Sequence, residues 1–135
     1  MQKRLSSFSS WAELLSGAPR GAHVLQLYDR DAFLVRAVTH FVAEGIAQGE
    51  CAILTGTRAH LDGIRVGLAL QGFDTSAALR DGALLVFDVD EAVESVWRGG
   101  ALSEERLREA TEATLRPLSA SGRTVRWWAE TADAL

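Results

Sequence analysis

The chain has 135 residues, room for one domain with a real core. Apolar residues make up 47% and charged residues 24%, with a formal net charge of −4, the balance of a soluble globular protein. Arg106, Arg108, Arg116, Arg123 and Arg126 are scattered rather than clustered. The basic footprint needed to neutralise phosphates is missing, so direct contact with nucleic acid is not expected. Cys51 is the single cysteine, which excludes an intramolecular disulfide and a cysteine zinc cage. No apolar run approaches the ~20 residues of a membrane span. Lys3 and Arg4 run into serines rather than an apolar core, so no signal peptide is read and a cytoplasmic location is expected.

Residues 1–20 read as a lead-in segment. Trp11, Leu14 and Leu15 sit at helical spacing there, with Gly17 and Pro19 to stop a short helix. Residues 21–135 read as one α/β domain. "HVLQLY", from His23 to Tyr28, is the first strand candidate. Phe33, Leu34, Ala37, Val38, Phe41, Val42 and Ile46 then form a broad helical stripe. Asp29 or Asp31 is placed to cap that helix, and Gly49 suits the left-handed residue after its end.

"CAILTGT" is apolar on both faces, as in a strand buried within a parallel sheet, and Cys51 fits there as a small hydrophobe. Arg58 to Gln71 carries Leu61, Ile64 and Leu68 at helical spacing. Gly63 and Gly67 weaken that helix by roughly 1 kcal/mol each unless they allow close packing against the sheet. "TSAALRDG" reads as one helical turn and "ALLVFDV" as the third strand. After Asp90 a further turn is broken by Gly99-Gly100. Ser103 starts a helix with a weaker stripe, Leu107, Ala110, Thr114 and Leu118, and Pro117 is placed to distort its last turn. "TVRWWAE" is the fourth strand. Strands alternating with helices imply βαβ units and a mainly parallel sheet flanked by helices. Four strands are few for such a sheet, so either the chain is a fragment of a longer protein or a partner completes it.

Strand–turn–helix units that hold phosphates need glycines, a lysine and a hydroxyl at the turn. Between Leu27 and Phe33 the chain has Tyr28, Asp29, Arg30, Asp31 and Ala32 instead. Two acids there oppose a polyphosphate. ATP hydrolysis by the usual route is therefore not expected.

The segments "HVLQLYDRDAFLVRAVTHFVAEGIAQGECAILTGT" and "ALLVFDVDEAV" resemble the MEDS family. These are sensory domains of methanogens and methylotrophs, related to the sensory part of the repressor DcmR. The matching positions are His23, Tyr28, Gly45, Gly49, Glu50 and Thr55. The resemblance implies a RecA/KaiC-like fold that has lost its phosphate loop, and a neighbouring kinase, anti-sigma or DNA-binding module. Family members often carry cysteine where this chain has Leu25, and Gly-Glu-Met where it has Trp128-Ala129-Glu130, so only Glu130 carries over.

Together these readings place candidate ligand contacts at His23, Gln26, Tyr28, Asp29, Thr55, Thr57, Asp88 and Glu130, at or near strand ends, where open parallel sheets bind ligands. Helix capping is the competing role for Thr55, Thr57 and Asp88. His40 and His60 fall on helices without a ligand set nearby in sequence, so no metal is expected, and no cofactor is either. Trp127 and Trp128 point to opposite faces of a strand. One is expected in the core, and the other, with Trp11 and Trp97, forms a candidate interface patch. No nucleophile–base pair or nucleophile elbow is present. The expected role is a non-enzymatic sensory domain that binds a small, hydrocarbon-derived molecule and signals to an output module. The alternative is a protein-interaction or homodimerisation module without a ligand.

Overall fold

The computed structural model describes residues 30–130. The lead-in segment, the strand candidate at 23–28 and Trp11 lie outside them. Within them the chain forms α1 (Asp31–Ala47), β1 (Cys51–Gly56), α2 (Arg58–Leu70) and α3 (Thr75–Arg80). There follow β2 (Leu84–Asp88), α4 (Val89–Val96), β3 (Trp97–Arg98), β4 (Ala101–Leu102), α5 (Glu104–Ser121) and β5 (Val125–Ala129).

β1 is the middle strand of a parallel sheet ordered β2-β1-β5. All six of its residues are buried, which explains its unbroken apolar text. Alternation along the strands divides the core between two faces. Ala52, Leu54 and Leu84 pack with Leu34, Val38 and Val42 of α1 and Leu61, Ile64 and Leu68 of α2. Cys51 and Ile53 face the other way, onto Leu118 and Leu115 of α5. Only Leu118 of α5 is buried, in keeping with its weaker stripe. α5 continues through Pro117 to Ser121 and ends at Gly122, whose φ of +72° is the left-handed stop. The Cys51 thiol donates to the Gly82 carbonyl at 3.3 Å, and burial raises its pKa against a smaller opposing pull from Arg123. It is a core residue.

The glycines of α2 serve helix–helix packing. A Cβ on Gly63 would lie 3.2 Å from both methyls of Val35, and one on Gly67 would lie 2.9 Å from Thr39. The contact they permit is therefore with α1 rather than with the sheet. Gly99 and Gly100 do more than break a helix. With φ of +59° and +80° they form a two-residue turn joining β3 to β4, in which Trp97 pairs with Leu102.

The Gly45-x-x-x-Gly49-Glu50 end of α1 is a socket for Arg126 of β5. Gly49 takes the left-handed conformation, φ +77°. A Cβ on Gly45 would lie 2.7 Å from Arg126 Cδ, so only glycine leaves room for that side chain. Arg126 Nε donates to Glu50, and its Nη1 donates to the Phe41 carbonyl at 3.2 Å and to Glu44 at 3.4 Å. The guanidinium also lies 5.3 Å from the Phe41 ring centroid. Phe41 and Glu44 of α1, and Glu50 just beyond it, are thereby tied to β5. The motif builds the fold.

Candidate functional site at the strand tips

The chain leaves β1 through α2 toward β2, then crosses back over β1 through α5 to reach β5. The helices of these two connections cover opposite faces of the sheet. In open parallel sheets such a reversal is where ligands customarily bind, in a crevice outside the carboxyl ends of the strands, which here are those of β1 and β5.

Thr55, Gly56 and Thr57 stand at the tip of β1. The Thr55 carbonyl accepts from Glu130 N at 2.8 Å, and its hydroxyl accepts from Trp127 Nε1 at 3.2 Å. A Cβ on Gly56 would lie 2.6 Å from the Trp128 ring and 3.3 Å from Glu130 Oε2, so the glycine lets the tip of β5 close onto β1. Thr57 caps α2, its hydroxyl accepting from His60 N at 3.4 Å. Of the two threonines, Thr57 takes the capping role and Thr55 anchors the indole of Trp127.

Glu130 follows directly on β5, and it is 8% exposed. Its carboxylate accepts from Thr57 N at 3.1 Å and lies 2.8 Å from His60 Nδ1. On the far side of the ring, His60 Nε2 lies 3.0 Å from Asp31 Oδ1. An imidazole facing carboxylates through both nitrogens satisfies both only as the imidazolium, which has two donors. Burial pushes the His60 pKa down, but the hydrogen bonds and charges of Glu130 and Asp31 outweigh it, and the net shift is upward. The result is a carboxylate–imidazole–carboxylate bridge joining the start of α1, the first turn of α2 and the exit of β5.

Sequence reasoning selected Glu130, Thr55 and Thr57 but passed over His60 and Asp31. His60 is 70 residues from Glu130 and 29 from Asp31, so proximity in sequence gave no warning. A signal was present nonetheless. With Thr57 as cap, His60 is the third helical residue, whose side chain commonly reaches back over the helix start. Asp31 does not cap α1. The cap position is Arg30, without a side-chain cap bond, and the Asp31 carboxylate turns to His60. Asp88 sits beside Gly56 in register and caps α4, accepting from Asp90 N at 2.9 Å and Glu91 N at 3.2 Å. An open groove of about 260 Å³ runs past it, lined by Val86, Phe87, Glu91, Ala92 and Ser95. His23, Gln26, Tyr28 and Asp29 lie outside the described residues. Trp128 packs inward against the α1/α2 core, whereas Trp127 and Trp97 are each 38% exposed. Among the described residues no group of three or more His, Cys, Asp or Glu side chains could hold a metal ion. No helix among them is long and apolar enough to cross a membrane.

Fold and site define a parallel α/β domain with a hydrogen-bonded polar bridge at the position where such folds take up ligands. A family model, MEDS, the methanogen/methylotroph, DcmR sensory domain, matches residues 22–135, and the chain belongs to that family of sensory domains. No curated protein and no solved structure matches it.

Proposed function

We propose that this domain is the non-enzymatic sensing part of a prokaryotic signalling or transcription-regulatory protein, binding a small neutral molecule in the crevice between β1 and β5. The observation that carries the reading is the Thr57–Glu130–His60–Asp31 bridge at the reversal of strand order. A polar cluster of this kind is costly to bury unless every member is satisfied, and it ties three elements that a ligand could separate. Asp31 and Glu130 oppose an anion at this end of the sheet, so a nucleotide phosphate fits poorly and a neutral molecule fits better. The family's description supports sensing, and a hydrocarbon-derived ligand follows from the family resemblance. A ligand can bias an output module only if it binds one arrangement of the bridge more tightly than another.

A thermal-shift screen of small neutral organic molecules, repeated on Glu130→Gln, tests this. At 100 times its Kd a ligand stabilises by about 2.7 kcal/mol, roughly 10 °C in Tm for a chain of this size. The reading predicts a hit whose shift shrinks in the variant. It fails if hits shift both proteins equally.

A second reading rests on the β3–β4 hairpin, where the paired Trp97 and Leu102 are 38% and 42% exposed. An aromatic–aliphatic pair on an exposed arm suits docking to a regulator or to a second copy of the chain. Sedimentation of the protein and of Trp97→Ala distinguishes the two: a dimer lost in the variant supports the second reading, and a monomer in both removes self-association.

A further inference from the structure

The two carboxylates of the bridge are unequal. The Glu130 side chain is 6% exposed and also holds the Thr57 N–H, whereas the Asp31 side chain is 83% exposed. A neutral imidazole has one N–H and cannot donate to both. If Glu130 were abandoned, a buried charge would lose a donor, which is expensive; Asp31 can exchange the same bond for water at little cost. On deprotonation the remaining hydrogen therefore stays on Nδ1, toward Glu130. The Nε2 lone pair then faces the Asp31 carboxylate at 3.0 Å, and the contact becomes repulsive.

We propose that His60 is a proton-operated latch: as imidazolium it fastens the start of α1 to the strand tips, and as neutral imidazole it keeps Glu130 and releases Asp31. Among the described residues the carboxylates facing it are Asp31 from α1 and Glu130 from the exit of β5. Both hold the proton on and, against burial, move release to the alkaline side of the ordinary histidine range. The part released is specific. Arg30 makes no side-chain cap bond to α1, so the Asp31 contact is one tie of its first turn, alongside backbone bonds the first of which runs from Leu34 N to Arg30 O. The latch rests on proton chemistry and stands whether or not a ligand occupies the crevice.

Amide hydrogen exchange, corrected for intrinsic pH dependence and followed with the His60 ring titration by NMR, tests it in the full chain. Wild-type Leu34 and Val35 should lose about tenfold or more of their protection as His60 deprotonates, the measure of one charge-assisted hydrogen bond. Thr57 N–H should keep its protection over the same range. Asp31→Asn, a change on an exposed side chain, should abolish the response, because an amide accepts from imidazolium and donates to neutral Nε2. Asp31→Ala should leave the first turn unprotected throughout. The latch is overturned if first-turn protection stays flat while His60 titrates, if Thr57 opens first, or if Asp31→Asn responds as the wild type does.

Discussion

Gly45→Ala puts two known effects in opposition. Alanine is the better helix former by roughly 1 kcal/mol, and Gly45 lies within α1, so propensity alone says the variant is stabilised. The structure says otherwise. The new methyl would lie 2.7 Å from Arg126 Cδ and 3.1 Å from Nε. The guanidinium cannot simply swing aside, because Glu50, Glu44 and the Phe41 carbonyl all hold it. Overpacking of this kind costs about 1–3 kcal/mol, and movement of Arg126 also weakens its ion pairs. The net expectation is a loss of about 1–2 kcal/mol in the urea unfolding free energy. In an Arg126→Ala background the obstruction is gone, and Gly45→Ala should become neutral or stabilising by up to about 1 kcal/mol. A sign change across this double-mutant cycle is the expected outcome. Equal effects in both backgrounds, or a stabilised single variant, would refute the view that Gly45 is there to admit Arg126.

Stability should also depend on pH through His60. Its folded pKa is raised, so its contribution is complete below about 6.5, the ordinary histidine value, and is lost as pH rises through the folded value. His60→Gln should flatten that alkaline decline in thermal unfolding; an unchanged decline would assign it to other groups. Trp128→Ala should destabilise by about 3–5 kcal/mol, since Trp128 packs on the core and over Gly56. Trp127→Ala should cost clearly less, because that ring is 38% exposed. Chemical denaturation that ranked the two tryptophans the other way would contradict the assignment of sheet faces.

Much of the scaffold was readable because burial on both faces of a sheet leaves an unbroken apolar run. "CAILTG" became β1 on that signal; "LLVFD" became β2 as read, although only its Leu84 is fully buried and Phe87 is 39% exposed. The β3–β4 hairpin was not readable, since two-residue strands carry no period; only Gly99-Gly100 hinted at it. Arg126 passed for one of several scattered surface charges because its partners, Glu50, Glu44 and Phe41, lie 76 to 85 residues away. The site divided in the same way. Glu130 and Thr57 could be placed by being at strand ends, and the capping role read for Asp88 is the one it takes. His60 and Asp31 meet through tertiary packing of α1 on α2, which the small residues Gly63 and Gly67 permit.

Chemical-shift mapping during titration with the most stabilising small molecule bears most directly on the proposed sensing role. The largest movements should fall on the amides of Thr55 to His60 and on Glu130, with the His60 ring signals shifting in step. Perturbations confined to the Trp97–Leu102 hairpin or to the Phe87–Glu91 groove would mean that the crevice is not where signals enter. Silence of Thr57, His60 and Glu130 at saturating ligand would mean the same.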